Sequence, residues 1–540
     1  MTQATLVTEA PPAPAEVSAP ARADRWSARV FAAAVVAALP LLLWSGRDHW
    51  FFLDDWWALT RDGLGSPGYL DDHNGHWSTL VRLDFRLNFE LWGLSTYLPY
   101  QVPVVLAHLG AAVLLRQVTR RTGVRGWIAT AAALAFLLFG SGRENMLFAF
   151  QFSQTGSVLC GLAMFLLADG ARSVTRRDWL ALGVGVVGLM TSGIFLPFLV
   201  GFGVTTLLRR GGRVLVFYAL PLGAIFAAWY LAYGREGAAP LEATGRTLRF
   251  AVRMFSATFD ALAQGDIGAL LVGVAAFGLA AAVLRARRSG TWADAALPLG
   301  LAVGWVAFAT LTAAARSNGA LTANTHDAGR YLHVGIALLL PLVAAGAEAL
   351  ARRRVLLGAA ALVPLAIGLP GNVDKLTHTE PFLRGNRQVV FAMAHSPFVD
   401  EVAPGTTPPM FGPFDGPLTA RWLARQAAAG KIPEPDGADP VRDLTATNWL
   451  ALAQATGPDD QPDCPQLTAP LAATLRSGDQ IRFTGTITVR VTDGTQQSYP
   501  RQFLSSDGSV IRAQAGPVDV VVRPGTGQRP RLCMPPGVDG

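Results

Sequence analysis

Long apolar blocks constrain the fold of this chain more than any other feature of its sequence. Only 15% of the residues are charged, against about 25% in soluble domains. A helix of about 20 apolar residues crosses the ~30 Å hydrocarbon core of a bilayer. The sequence therefore predicts an α-helical polytopic protein in a lipid bilayer. The blocks lie at residues 28–44, 97–115, 127–140, 152–168, 179–208, 214–233, 267–284, 295–315, 331–350 and 355–369.

The block at 179–208 decides the topology, because it is too long for one crossing and short for two. Ser192-Gly193 and Pro197 lie near its middle and predict a tight reversal. Clusters of arginine lie between the apolar blocks, and such clusters are normally cytoplasmic. All of them lie on the same side of the membrane only if the block at 179–208 crosses twice. We therefore expect about eleven transmembrane helices with a cytoplasmic amino terminus. Whether the short pair crosses fully or re-enters is left open. The clusters lie at 116–125, 172–177, 209–213, 285–288 and 352–354.

Composition divides the chain into three parts. Residues 1–25 are rich in Ala, Pro and Thr and predict a disordered cytoplasmic tail without a removable signal peptide. Residues 26–370 form the transmembrane domain, with a long outer loop at 45–96. Residues 371–540 are polar and predict an extracytoplasmic, mainly β domain. The net charge of +7 comes largely from arginines between apolar blocks, so we expect no nucleic-acid partner.

The polar C-terminal part contains local patterns of both helix and strand. A helix is expected around 418–429, whereas 480–491 and 510–522 alternate apolar and polar residues as antiparallel strands do. A small β-sandwich-like module is the predicted arrangement. Cys464 and Cys533 bracket this region, and outside the cytoplasm a disulfide between them is the natural pairing. Cys160 lies in an apolar block and is expected to be a packing residue.

Two adjacent carboxylates, Asp54 and Asp55, follow the first apolar block in the segment FFLDDWW. An aromatic belt at the bilayer surface explains the Trp and Phe residues. It does not explain two neighbouring acids, whose repulsion and partial burial both cost free energy. Paired carboxylates at this depth suit a general base, or a cation site, that faces a lipid-anchored substrate.

The same loop continues as DDHNGHWS, with His73 and His76 three residues apart. Two histidines near acids can ligate a metal, but no third ligand follows at a fixed spacing. An ordinary polar loop explains the pattern almost as well, so the metal question stays open. The following residues, 80–94, show the spacing of an amphipathic helix that lies along the membrane surface.

Arginines recur at the predicted outer ends of later helices. Arg143 and Glu144 occupy the short loop 141–151, and Arg316 and Arg330 flank another. A guanidinium at this depth can grip a lipid phosphate through two hydrogen bonds. A surface ion pair for Arg143 and Glu144, or an Arg330 side chain reaching outward to water, explains the same residues equally well.

The predicted helices carry almost no charge at the centre of the membrane, where His108 is the main polar exception. Ion-coupled transporters usually place ionisable residues there, so this pattern disfavours a lipid or polysaccharide transporter. A polytopic envelope protein that binds or scaffolds without turnover is the other alternative to an enzyme.

The segments LDDWW, HNGHWSTL, GRENMLFAFQ and GRYL, in this order along the helices, resemble the GT-C superfamily of membrane glycosyltransferases. The likeness is strongest to bacterial members related to the protein O-mannosyltransferase and aminoarabinose-transferase branch, and it covers residues 25–369. It implies that a sugar passes from a polyprenyl-phosphate donor to a glycan, lipid or protein acceptor. Transfer would occur at the outer face of the plasma (inner) membrane.

The resemblance also assigns roles to residues. It implies a catalytic carboxylate in the first outer loop, which is Asp54 or Asp55 here, and a basic partner for the departing phosphate, such as Arg330 or Arg143. Some relatives need a divalent cation and others do not, so no cofactor follows from it. The expected substrate-binding residues are His73, His76, Trp77, Arg143, Glu144, Gln151, Arg330 and Tyr331.

Overall fold

The structure is a computed structural model. It describes residues 19–60, 68–167, 169–170, 172–235, 244–319, 322–378, 381–407, 418–456, 464–525 and 529–535. Most of the predicted cytoplasmic tail, residues 1–18, lies outside the described residues.

Helices make up most of the described chain. In order they are α1 (Ala19–Ser45), α2 (Asp54–Thr60), α3 (Thr79–Trp92), α4 (Leu98–Arg121), α5 (Gly126–Leu137), α6 (Glu144–Leu147), α7 (Phe152–Leu167), α8 (Arg176–Leu189), α9 (Phe195–Arg210), α10 (Gly212–Trp229), α11 (Gly245–Ala263), α12 (Gly268–Ser289), α13 (Ala296–Arg316), α14 (Gly329–Ala351), α15 (Val355–Thr377), α16 (Pro381–Ala394), α17 (Ala420–Ala428) and α18 (Pro440–Ala451).

Strands form a hairpin in the first loop and a sheet near the carboxyl terminus. They are β1 (Asp72–His73), β2 (His76–Trp77), β3 (Leu452–Thr456), β4 (Leu471–Leu475), β5 (Gln480–Val491), β6 (Arg501–Ala513), β7 (Val518–Pro524) and β8 (Arg531–Cys533).

Every predicted apolar block is helical, which confirms a polytopic helical protein with a C-terminal β region. Within the described ranges, eight helices are long and apolar enough to cross a membrane, namely α1, α4, α7 with its preceding turn, α10 and α12–α15. The remaining two blocks form three shorter helices, α5 from the block at 127–140 and α8 and α9 from the block at 179–208. We call the end of the bundle that carries Asp54 the outer end, after the predicted orientation.

The block at 179–208 is broken into α8 and α9, as the Ser192-Gly193 pair predicts. A Cβ atom on Gly193 would lie 2.7 Å from His76 Nδ1, so the break fits closely around the hairpin of the first loop. The absence of a side chain at Gly193 therefore lets the hairpin reach the helix bundle.

Helix α14 forms the centre of the bundle, and its residues are buried along most of their length. Close packing against α12 depends on small residues, because a Cβ on Gly346 would lie 1.9 Å from the Val274 carbonyl oxygen. Such backbone proximity is common between helices in membranes.

The amino-terminal boundary differs from the prediction. Helix α1 begins at Ala19, inside the segment 1–25 that was expected to be disordered. Asp24 explains the extension, because its carboxylate pairs with Arg120 at 2.6 Å and accepts a hydrogen bond from the Gly126 amide at 3.1 Å. These contacts fix the first turns of α1 against α4 and α5.

Helix α11 lies between the apolar blocks at 214–233 and 267–284, where the sequence predicts no transmembrane helix. Its buried face, which includes Phe250, Met254 and Phe259, packs across α12 to α15 near their outer ends. Arg249 and Arg253 are exposed on its other face. A polar face beside a narrow apolar stripe is typical of a helix at the bilayer surface.

The C-terminal strands form one antiparallel sheet in the part of the chain that is described, in the order β3-β6-β5-β7-β4 with β8 beside β5. The expected β-sandwich is wrong here, since α18 packs on the sheet and α16 packs on α18 in place of a second sheet. The strand expected at 510–522 is two strands, because the chain reverses between Ala513 and Val518. The helix expected at 418–429 is α17. A disulfide joins Cys464 and Cys533, whose Cα atoms are 5.1 Å apart.

The C-terminal region docks on the first outer loop. The Trp422 ring on α17 lies 6.4 Å from the Trp56 ring on α2 and 5.5 Å from the Phe89 ring on α3. The Leu94 amide donates to the Lys431 carbonyl at 2.7 Å. Both regions share one hydrophobic cluster, so the helix that begins with Asp54 is held from two sides.

Candidate active site at the outer end of the bundle

The acidic motif begins at a turn with a strained backbone. Leu53 adopts a φ of 43°, which a leucine rarely does. Asp54 and Asp55 follow as the first two residues of α2. Strained residues of this kind concentrate at functional sites, and they persist when the surroundings hold them in place.

Asp55 is a structural anchor. Only 1% of the residue is exposed, and its carboxylate accepts hydrogen bonds from the Phe52 amide at 3.1 Å, the Phe150 amide at 3.0 Å and the Tyr97 hydroxyl at 2.9 Å. Burial raises the pKa of Asp55 to about 7 although these bonds oppose the change. Asp55 therefore ties α2 to α4 and to the segment before α7.

Asp54 faces outward from the same turn, and 45% of its side chain is exposed. Its Oδ1 atom lies 3.0 Å from His73 Nε2. Burial favours protonation, but the hydrogen bond and charge of His73, with the charges of Arg330 and Arg316, hold the pKa of Asp54 below its usual value. Asp54 is therefore an ionised carboxylate at neutral pH with a histidine partner.

The segment His73-Asn74-Gly75-His76 is a two-residue β-hairpin. Asn74 and Gly75 have φ values of 52° and 77°, as a turn of this length requires. His73 and His76 are consequently cross-strand partners. The His73 ring also lies 4.1 Å from the Trp57 ring, which fixes it beside Asp54.

A cavity of about 560 Å³ opens beside Asp54, and we call it the large cavity. His73, His76 and Tyr331 line it, as do the two arginines Arg316 and Arg330. Its far part lies between α9, α10 and α13 and is apolar. The apolar side chains there include Ile194, Leu196, Phe226, Tyr230, Phe308 and Leu311.

A cavity of about 350 Å³ lies on the other side of Asp54, and we call it the small cavity. Its walls are more polar and include Ser141, Arg143 and Glu144. The two cavities share five residues, which form a common wall: Leu53, Asp54, Phe150, Gln151 and Arg330.

An ion pair and an amide brace this wall. Arg330 Nη1 lies 2.9 Å from Glu144 Oε1, and Gln151 Nε2 donates to the same oxygen at 3.2 Å. Gln151 is 7% exposed, and its Oε1 atom has no hydrogen-bond partner among the described residues. A buried acceptor in a cavity wall suits a ligand that carries hydroxyl groups.

Arg143 lies between the small cavity and an open polar depression of about 650 Å³ that is lined by Asp260, Asp374 and Lys375 among others. It contacts His49 Nε2 at 3.3 Å and donates to the His378 carbonyl at 2.6 Å. Burial, and then the charge of Arg143, lowers the pKa of His49 to about 4, so this histidine is neutral.

The structure brings most of the predicted site residues to one place. His76 lines the large cavity, and burial with the charges of Arg316 and His73 lowers its pKa to about 4. Trp77 does not line either cavity, since its ring is stacked 5.3 Å from the Trp229 ring in the bundle core. It anchors the hairpin that carries the histidines.

Three lining or neighbouring residues were not among the expected site residues. Arg316, at the end of α13, was noted only for its position, and His49 was not singled out. Gln154 lies three residues after Gln151 and its Oε1 atom has no partner among the described residues. A second glutamine at helical spacing is the one local signal that pointed to it.

No group of three or more His, Cys, Asp or Glu side chains in the described residues could hold a metal ion. His73 and His76 lie on one hairpin, but the nearby Asp54 bonds to His73 directly.

Comparisons with known proteins found similarity to solved structures alone. No family model matches the sequence, and no curated protein matches it. ArnT from Cupriavidus metallidurans in the apo state is 15% identical, with a TM-score of 0.43 over 81% of this chain and 93% of that chain. ArnT bound to undecaprenyl phosphate is 14% identical, with a TM-score of 0.42 over 80% and 93%.

Proposed function

We propose that this protein is a membrane glycosyltransferase, which moves a sugar from a polyprenyl-phosphate donor to a cell-envelope acceptor at the outer face of the membrane. The observation that carries the proposal is the position of Asp54. It is an ionised carboxylate in the wall between an elongated, partly apolar cavity and a smaller polar one.

The large cavity suits the donor. Its apolar part between α9, α10 and α13 fits a prenyl chain. A soluble sugar nucleotide has no such chain, so this part of the cavity favours a lipid-linked donor. The guanidinium groups of Arg316 and Arg330 lie at its polar end and suit the phosphate. Arg330 forms an ion pair with Glu144, whereas Arg316 forms no ion pair with any of the described residues. We therefore assign the main phosphate contact to Arg316.

The small cavity suits the acceptor. It is lined by hydrogen-bonding groups, including Ser141, Arg143 and Glu144, and it adjoins the polar depression at the outer end. A hydroxyl group that enters from this side meets Asp54 from the face opposite the donor. This geometry suits displacement at a carbon between the two cavities.

In the proposed reaction, Asp54 takes the proton of the acceptor hydroxyl while its oxygen bonds to the anomeric carbon of the sugar. The bond from that carbon to the phosphate oxygen breaks, and the polyprenyl phosphate leaves with the electron pair. Arg316 and Arg330 stabilise the charge that develops on it. His73 holds one carboxylate oxygen of Asp54, which leaves the other to face the acceptor.

Asp54→Asn tests this assignment. The protein in lipid nanodiscs is supplied with undecaprenyl-phosphate-linked pentoses and hexoses and with an envelope extract, and release of undecaprenyl phosphate is measured. The variant should lose about 10²–10⁴-fold in turnover, because it lacks the proton acceptor. Binding of undecaprenyl phosphate should change by less than about threefold, since Asp54 does not hold the lipid.

Asp266→Asn is the matched control, because it removes an exposed carboxylate at the same end of the bundle. It should turn over at the wild-type rate. Full turnover in Asp54→Asn would refute the role of Asp54. Two results together would favour a binding or scaffold protein instead. The wild-type protein would transfer no sugar in the assay, and cells without the protein would keep the same envelope glycans.

A further inference from the structure

A line of buried polar groups runs through the bundle beneath the two cavities. His108 on α4 and His333 on α14 are both fully buried, and His108 Nδ1 lies 3.1 Å from His333 Nε2. The Asn145 amide nitrogen lies 3.4 Å from His333 Nδ1 and 3.0 Å from the Arg330 carbonyl oxygen. These contacts connect the centre of the bundle to the wall between the cavities.

The directions of the hydrogen bonds that the two imidazole rings make follow from one carbonyl group. His108 Nε2 lies 3.1 Å from the Leu137 carbonyl oxygen, which can only accept, so this nitrogen carries the hydrogen. A neutral imidazole has one N–H, so His108 Nδ1 accepts from His333 Nε2. His333 Nδ1 then accepts from the amide of Asn145. The surroundings are apolar, which favours two neutral rings.

The groups at the ends of the line place the line next to the site. Leu137 is the last residue of α5, so His108 caps the helix that leads into the segment 140–151. Asn145 directly follows Glu144, and Arg330 lies in the first turn of α14. The Phe136 ring lies 5.0 Å from the His108 ring and 4.8 Å from the His333 ring, which leaves the imidazoles little room to rotate.

We infer that His108, His333 and Asn145 are positioning residues, whose one-way chain of hydrogen bonds holds the Arg330–Glu144 pair in place for the lipid phosphate. This inference rests on the proposed function for the identity of the ligand. The chain couples α4, α5 and α14 to the segment that carries Glu144. A displacement of about 1 Å at such a pair can cost a hundredfold in rate.

The chain itself is tested without any activity. Histidine-specific ¹⁵N labelling gives signals from eight histidines, and those of His108 and His333 are identified by their loss in His108→Gln and His333→Gln. At pH 7 both rings should be neutral with the hydrogen on Nε2. A hydrogen on Nδ1, or a charged ring, at either position overturns the chain.

The positioning role is tested by coupling to Arg330. His108→Leu should lower turnover by about 10–100-fold. It should lower turnover little further in an Arg330→Gln background, because a residue that acts through another has no separate effect once that partner is gone. His108→Gln keeps a donor and an acceptor and should recover most of the loss. Undecaprenyl phosphate binding is measured on the wild type and on the four variants, which are His108→Leu, His108→Gln, Arg330→Gln and the double variant.

Thr205→Val is the matched control, since it removes a buried hydrogen bond between α9 and α13 at 3.2 Å, away from the line. It should keep wild-type turnover per folded protein. Independent losses in His108→Leu and Arg330→Gln would overturn the positioning role. If the wild type neither binds undecaprenyl phosphate nor transfers sugar while both tautomers are as inferred, the chain stands. The proposed function then fails, and with it the positioning of a phosphate partner.

Discussion

Asp55 and Asp54 are adjacent acids with different surroundings, and replacing each of them separates stability from chemistry. Asp55 Oδ2 accepts from the Phe52 amide and the Tyr97 hydroxyl, and its Oδ1 accepts from the Phe150 amide. A lost partner leaves a buried donor unsatisfied, at about 1–3 kcal/mol each. Asp55→Ala should therefore lower the free energy of unfolding by about 3–9 kcal/mol.

Asp55→Asn should cost less, because its carbonyl oxygen can replace Oδ2 and keep two of the three bonds. Its NH₂ group then meets the Phe150 amide hydrogen, for a loss of about 1–3 kcal/mol. Asp54→Asn removes only a half-exposed contact with His73, which is worth about 0–1 kcal/mol.

The assay is unfolding of the purified protein in mixed micelles with increasing SDS, followed by far-ultraviolet circular dichroism. The expected order of stability is wild type close to Asp54→Asn, then Asp55→Asn, then Asp55→Ala. If Asp55→Ala and Asp54→Asn unfold within about 1 kcal/mol of each other, Asp55 is not the anchor that its three bonds indicate.

Three further outcomes are expected. Burial raises the pKa of Asp84 to about 7, so this carboxyl group holds more of its proton in the folded protein than in the unfolded chain between about pH 4 and 7. Its contribution to the free energy of unfolding should fall as pH rises through that range, and Asp84→Asn should remove that contribution in the same SDS assay. Arg316→Gln should weaken undecaprenyl phosphate binding about tenfold, measured in nanodiscs, and unchanged binding would contradict its role. Trp422→Ala removes the contacts with Trp56 and Phe89 and should speed proteolytic release of the C-terminal region.

The membrane helices could be predicted because one property, apolar length, decides them. The break between α8 and α9 also followed from the sequence, since Ser192-Gly193 and the arginine clusters agreed. Helix α11 was missed because its arginines interrupt the apolar pattern, and its buried face becomes evident only against α12 to α15. Similarly, the alternating pattern continues from β6 into β7, and the turn between the two strands is too short to interrupt it.

The site was predictable as a set of residue types and less so as an arrangement. Asp54, His73, Glu144 and Arg330 are far apart in the chain, and their meeting depends on how four segments pack. Trp77 was predicted to be a substrate-binding residue together with the neighbouring His76, but it lines neither cavity. It follows His76 directly, yet successive strand residues point to opposite faces, and its ring enters the bundle core beside Trp229.

The same geometry explains why no sequence pattern could divide the roles of Asp54 and Asp55. They open one helix, where consecutive side chains point about 100° apart. The strained turn at Leu53 precedes them. Asp54 reaches His73 and lines both cavities, whereas Asp55 lines the small cavity alone and turns inward to Tyr97 and Phe150. The inward acid holds in place the segment from which, in the proposed reaction, the outward acid acts. Loss of turnover in an Asp55 variant would therefore report a displaced Asp54, whereas loss in Asp54→Asn with unchanged stability would report the missing base itself.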